Sequence, residues 1–167
     1  MRLEPLGEQH LPGLTALTAD AVAVRFTRLP EPMPDGFART WLERYEAGRG
    51  DGSAFGFAAI DDDGAFLGVA LAPHVDREAR EVELGYIVAR EARGRGVATA
   101  MVRRLTTWAF GQLGALRVYL LIDVQNAASE RVAARCGYTR EGVLRSVYLK
   151  PGRRIDQSVW SRLPSDP

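Results

Sequence analysis

The chain has 167 residues, 46% of them hydrophobic and 26% charged, which excludes a disordered or fibrous protein and leads us to expect one domain over residues 1–167 around a sizeable core. Its 22 basic and 21 acidic side chains leave a formal net charge of +1, so no overall field favours nucleic acid or a membrane surface. The single cysteine, Cys136, excludes an intramolecular disulfide, the opening MRLEPLGEQH lacks the apolar core of a signal peptide, and no apolar run approaches the roughly 20 residues that span a bilayer; a soluble, cytoplasmic protein is expected.

In chain order, a short strand near Arg2 to Glu4, ended by Pro5, leads into a helix near His10 to Ala21. LPEPMPDG is a loop too short to separate two domains. After it FARTWLERYEA places Phe37, Trp41, Leu42 and Tyr45 on one helical face, with Asp35 positioned to cap it. AFGFAAIDDDGAFLGVALAP reads as two strands joined by an acidic turn, and EVELGYIVAR as a third. From Gly96 the period changes: Val97, Ala98, Met101, Val102, Leu105, Trp108 and Ala109 recur at three- and four-residue spacing, the pattern of an amphipathic helix. RVYLLIDV is a strand, and strand, helix, strand with short connections implies a right-handed parallel crossover. NAASERVAARCGY is a short helix with Asn126 as cap and Gly137 as stop. Two last strands, around Tyr138 to Tyr148 and Ile155 to Leu163, flank the turn KPGRR. The expected class is mixed α/β, with a mostly antiparallel sheet and one crossover.

The stretch VAREARGRGVATAMV sets two arginines and two glycines directly before a helix. The first turn of a helix leaves backbone N–H groups without partners and carries about half a positive charge. Gly94 and Gly96 permit close approach of an anion, and Arg93 and Arg95 can add charge-assisted hydrogen bonds, so a phosphate site is expected here. A nucleotide-triphosphate loop needs Gly-Lys-Ser/Thr, which is absent. A dinucleotide fingerprint needs a small residue where Thr99 stands; Asp123 is passably placed for a ribose, but a single crossover supplies too few parallel strands.

Arg93-Gly94-Arg95-Gly96-Val97-Ala98 matches the Arg/Gln-x-x-Gly-x-Gly/Ala signature of the GNAT N-acetyltransferase superfamily. With NAASERVAARCGYTREGVLR and GRRIDQSVWSRLP following in order, most of the chain resembles the branch that contains the RimJ and RimL ribosomal-protein N-terminal acetyltransferases. The resemblance implies the GNAT fold, a mostly antiparallel sheet with a central parallel pair of strands that splay apart, flanked by helices. Here the pair is Glu81 to Ala89 and Arg117 to Val124. It also implies that the backbone of Tyr86, Ile87 and Val88 pairs with pantetheine amides and that Arg93, Gly94, Arg95, Gly96, Val97 and Ala98 hold the pyrophosphate of acetyl-CoA. Asn126 matches the asparagine near the pantetheine, although a plain helix cap explains it equally, and Ser129 matches a serine of the RimJ and RimL branch. Frequent dimers are implied too, here through the last strands.

Acetyl transfer to an amine needs a neutral nucleophile, stabilisation of an oxyanion and a proton for the leaving thiolate. Glu83, on the strand leading to the splay point, is the candidate base, with Glu81 on the same face second; both equally fit ordinary salt-bridge partners. The tyrosine that many GNAT enzymes carry seven residues after the asparagine is here Ala133, which removes the usual general acid. Ser129 is left to position the thioester sulfur, with Tyr138 and Tyr148 as other hydroxyls more readily explained as packing. Cys136 reads as a buried apolar residue, Asp61 to Asp63 as a solvated turn, and the isolated His10 and His74 give no metal site. The expected activity is acetyl-CoA-dependent transfer to an amine acceptor, a protein N-terminus or a small molecule, without metal, nucleic acid or membrane. The alternative is a non-catalytic acyl-CoA-binding regulatory module.

Overall fold

Seven strands and five α-helices make up the structure, a computed structural model that describes residues 1–167. The strands are β1 (Arg2–Pro5), β2 (Phe55–Ile60), β3 (Phe66–Asp76), β4 (Glu81–Val88), β5 (Arg117–Asp123), β6 (Thr139–Lys150) and β7 (Arg153–Arg162), and the helices are α1 (Leu11–Thr18), α2 (Ala21–Phe26), α3 (Phe37–Asp51), α4 (Val97–Gln112) and α5 (Ala127–Arg135). All seven strands join one sheet in the order β1-β2-β3-β4-β5-β7-β6. Every neighbouring pair is antiparallel except β4 and β5, which the α4 crossover makes parallel.

That parallel pair is short. Glu81 to Leu84 pair with Arg117 to Leu120, and no pairing follows. From Gly85 to Val88 the strand β4 stays bonded to β3, while β5 continues against β7 as far as Asp123. The sheet therefore opens between the C-terminal halves of its two central strands, and the expected splay is present.

Side chains alternate across the sheet, as strand geometry requires. Val82 and Leu84 of β4 join Val118 and Leu120 of β5 under Met101, Val102 and Leu105 of α4. Val69 and Leu71 of β3 and Ile87 of β4 face the other way, against Leu14, Leu17, Trp41, Leu42 and Tyr45 of α1 and α3. Two apolar cores thus clamp the sheet, and each fully buried leucine stabilises it by about 1.5–3 kcal/mol.

Three local expectations are corrected. The helix expected near His10 to Ala21 is broken at Ala19–Asp20, because the Asp20 carboxylate accepts the Ala23 N–H at 2.8 Å and starts α2 as a separate helix. Asp35 does not cap α3: Gly36 occupies that position in the left-handed conformation, φ +70°, so Asp35 falls one residue outside. Pro5 extends β1 rather than ending it, which an edge strand tolerates. The other caps are as expected: Asn126 Oδ1 accepts the Ser129 N–H at 3.1 Å at the start of α5, and Gly137 follows its end at φ +78°.

Candidate active site

Two cavities meet where the sheet opens. One runs along the start of α4, from Val22 and Ala23 of α2 past Arg93, Gly94 and Gly96 to Thr99. The other lies under α3 and is walled by Phe37, Trp41 and Tyr45, with Glu83 of β4 inside it. Phe26, Thr27, Tyr86, Ile87, Asn126 and Ser129 line both. The gap between β4 and β5 is thus a passage through the sheet, with a long groove on one side and an aromatic chamber on the other.

At the glycine turn, Gly94 and Gly96 have φ of +74° and +77°, and neither has an atom within 4 Å of where a Cβ would stand. The space in front of the turn is open. The first bond onto the turn is Ala100 N–H to Gly96 O at 3.1 Å, which leaves the N–H groups of Val97, Ala98 and Thr99 at the helix start without intrahelical acceptors. Along Gly85 to Val88 the backbone edge facing the groove has no strand partner, since β5 has turned away. A groove with free amides along one wall and at its far end suits a chain of amides ending in phosphates.

The two arginines of the turn have different fates. Arg93 Nη2 donates to Asp20 Oδ1 at 2.7 Å and its Nε donates to Val88 O at 3.2 Å. Its guanidinium is therefore spent on clamping α2 to the end of β4, and of the two side chains expected to reach phosphate only exposed Arg95 is unpaired. Burial alone would raise the Asp20 carboxyl. The hydrogen bonds from Arg93 and from Ala23 N–H, with the charges of Arg93 and Arg90, outweigh it and hold the group below the usual aspartate range. The Asp20 clamp was not legible in the sequence, because its partner is 73 residues away.

Glu83 lies in the chamber with its side chain 12% exposed, and its Oε1 is paired with Arg28 at 2.9 Å. No hydrogen bond from within the chain reaches Oε2, and that oxygen is not fully buried. Glu81, the second choice, lines neither cavity: Arg117 holds it at 2.6 Å in an ion-pair cluster with Glu141. Both acids lie in the stretch of β4 that pairs with β5, and Glu81 stands two residues further from the point where that pairing ends.

On the opposite face of β4 the Tyr86 hydroxyl is 2.8 Å from Ser129 Oγ. Burial pushes the Tyr86 phenol up to about 12, against the smaller downward effect of the Ser129 hydrogen bond. Sequence reading assigned Tyr86 a backbone role alone; strand alternation from Leu84 was the signal that its side chain faces α5. Tyr138 and Tyr148 line neither cavity. Tyr138 is sealed in the core with its hydroxyl on Thr106 Oγ1 at 2.6 Å, and Ala133, fully buried beneath α4, sits where a tyrosine would have to enter that core. Cys136 is buried as expected, and burial pushes its thiol up.

The roof over the passage is the segment from α2 to Leu29. Lys150, buried at the end of β6, donates to Val24 O and Leu29 O at 2.7 and 2.6 Å. Arg25 reaches across to Gln125 Oε1 at 3.2 Å. The structure brings no three His, Cys, Asp or Glu side chains together in a metal-binding group, and no helix is long and apolar enough to cross a membrane.

Residues 1–139 match the family described as acetyltransferase (GNAT) domain. Among curated relatives, the putative ribosomal N-acetyltransferase YdaF of Bacillus subtilis (strain 168) is 35% identical over 101 residues, which cover 60% of this chain and 55% of that protein. Phosphinothricin N-acetyltransferase of Alcaligenes faecalis is 28% identical over 158 residues, 93% of this chain and 78% of that protein. The chain spans about half the length of the first of the curated relatives it matches. Among solved structures, spermidine N-acetyltransferase from Vibrio cholerae in complex with CoA and spermine superposes with a TM-score of 0.87 at 22% identity, over 99% of this chain and 96% of that one. RimL, a ribosomal-protein alpha-N-acetyltransferase in complex with coenzyme A, does so with a TM-score of 0.88 at 20% identity, over 96% and 92%. At such identities the likeness is one of fold. The splayed pair, the glycine turn opening α4 and the match over residues 1–139 agree: this chain belongs to the acetyltransferase (GNAT) domain family.

Proposed function

We propose that this protein transfers the acetyl group of acetyl-CoA directly to a primary amine, of a protein N-terminus or of a small molecule. The observation that carries this is the meeting of the two cavities at the splay point, which lets a thioester enter from the groove side and an amine from the chamber side. The groove fits coenzyme A in chemistry: Tyr86, Ile87 and Val88 offer backbone groups to the pantetheine amides, and Gly94, Gly96, Val97 and Ala98 offer theirs to the pyrophosphate, with Arg95 adding charge.

Glu83 accepts the proton of the attacking amine through its unpaired Oε2, directly or across one water, while Arg28 keeps the carboxylate in place. As the amine nitrogen bonds to the acetyl carbon, the carbon–sulfur bond breaks with its electron pair left on sulfur, which needs a hydrogen bond as it departs and then takes its proton from solvent. Ser129 supplies the hydrogen bond. With the phenol pushed up to about 12, Tyr86 keeps its proton at neutral pH; when it donates to Ser129 Oγ, the serine proton is free to point at the sulfur. The base and the thiolate partner thus work from opposite faces of β4, and Tyr86 with Ser129 stands in for the tyrosine that Ala133 replaces.

The test pairs isothermal titration with release of free thiol over an amine panel. Acetyl-CoA is expected to bind much more tightly than acetyl-pantetheine, because the turn amides bind phosphate. Gly94→Asp should erase that difference, whereas Gly94→Asn, which tolerates the left-handed backbone without a charge, should keep most of it. Binding with no turnover of any amine would instead identify a non-catalytic acyl-CoA-binding module. Equal affinity for the two donors would refute the phosphate site. Supporting the dimer implied by the resemblance, outer strand β6 exposes Val143, Leu144, Val147 and Leu149, and we include a homodimer through that strand in the proposal.

A further inference from the structure

The acceptor chamber has an uneven charge balance. Four of its lining residues are charged: Arg28, Arg44, Glu83 and Asp123. Arg28 and Glu83 neutralise one another at 2.9 Å. Asp123 is buried, and its Oδ1 accepts the Gln125 N–H at 2.8 Å in the turn before α5. Arg44, exposed at the mouth of the chamber, remains without a carboxylate. It makes no ion pair or hydrogen bond with the chain, and its guanidinium lies only beside the Tyr45 ring, 5.8 Å from the centroid. Its neighbours one turn away on α3 are Thr40, Trp41, Ala47 and Gly48, so the helix surface offers it no acid either. It shares the chamber-facing side of α3 with Phe37, Trp41 and Tyr45. On the far wall Gln157 is 7% exposed, and its side-chain amide has no partner in the protein.

We infer that the acceptor is a small amine carrying an oxyanion on the same molecule, an α-amino acid or a close analogue, with Arg44 as the group that holds the anion. This rests on the acetyltransferase reading above. The amine must come to Glu83, so the acceptor brings one positive group to the chamber's carboxylate. The unpaired guanidinium calls for one negative group in return, and a planar guanidinium can hold a carboxylate or phosphinate through two parallel charge-assisted hydrogen bonds. A polyamine brings only positive charge and meets an arginine where it would need an acid. The chamber's volume of about 200 Å³ suits a molecule of amino-acid size.

The experiment compares each of several α-amino acids with its own carboxamide as acceptor, alongside phosphinothricin, whose side chain ends in a phosphinate, and spermidine. Wild-type protein is expected to favour the acids over their amides by about tenfold or more in kcat/KM, the scale of one charge-assisted pair. Arg44→Gln should shrink that preference to about two-fold or less by raising KM with kcat little changed, and Arg44→Lys should restore part of it. Thermal unfolding of the protein with coenzyme A and each acid or amide gives the same comparison without turnover, and the acids should stabilise wild type more. Equal kcat/KM for acids and amides, a preference for spermidine, or an Arg44→Gln variant unchanged in both readouts would overturn the inference while leaving the acetyltransferase reading intact. If no amine is turned over but the acids still stabilise the protein through Arg44, the anion site stands and the transfer reading falls.

Discussion

Glu83, Ser129 and Tyr86 stand about one short passage, and the mechanism proposed for them sets each on a different atom, so their removal should fail in different ways. Glu83→Gln keeps the shape and loses the proton acceptor, and the rate should drop about a hundredfold or more. That rate should climb back toward wild type as the pH approaches the pKa of the acceptor amine, which then deprotonates unaided. Acetyl-CoA affinity should not move, because Glu83 faces the chamber rather than the groove. Full activity with an unchanged pH profile would remove Glu83 from the mechanism. Ser129→Ala and Tyr86→Phe should each lower kcat by a few-fold to about tenfold, the cost of one uncharged hydrogen bond. Since the two hydroxyls share one 2.8 Å contact, the double variant should be little worse than the weaker single one. Strict additivity in that cycle would show that the pair does not act as a unit.

Between elements, the decisive joint is the one that ties α2 to the glycine turn. Asp20 caps α2 through Ala23 and receives Arg93 from the loop before α4, with Arg90 at 3.6 Å, so one carboxylate holds both walls of the groove. Its folded pKa lies below the unfolded one. Its stabilising contribution is therefore complete above the ordinary aspartate pKa of about 3.9 and is lost as pH falls through the folded value. Asp20→Asn retains a capping oxygen but not the charge, and should cost about 2 kcal/mol at neutral pH. Denaturant unfolding carried from neutral pH down through the acid range should find wild type and variant converging. A constant gap between them would assign the cost to packing instead. Acetyl-CoA affinity should fall in the variant as well, because α2 lines the groove.

For the molecule as a whole, the sheet order places hairpin β6–β7 at one margin, with β6 outermost. Leu149 is 65% exposed there, although its neighbour Lys150 is buried and strapped to the roof of the site by Val24 O and Leu29 O. The homodimer proposed through β6 would bury that apolar strip and so sit next to the acceptor chamber's roof. Sedimentation at micromolar concentration should give a dimer-sized species, and Leu149→Glu should shift it to monomer. A monomer-sized species alone for wild type would exclude this assembly.

Local chemistry was enough to locate much of this site. The period change at Gly96 marked α4, Asn126 and Gly137 bounded α5, and the glycine pair announced a helix start open to an anion, because caps, periodicity and left-handed glycines depend on residues within a turn of one another. Glu83 was legible as an acid on the strand leading to the gap. Only the tertiary structure decided how those pieces face each other. Arg93 is turned from the groove to Asp20, Arg28 is brought onto Glu83, and the acids Glu81 and Glu83, alike in the sequence, are separated by their surroundings, Glu81 on Arg117 beside Glu141 and Glu83 in the chamber. Tyr86 enters the site because the register of β4 sends its side chain to the α5 face. These outcomes depend on sheet order and on contacts between distant segments, which no local pattern encodes, and they determine which of the polar residues named in the sequence stand at the splay point.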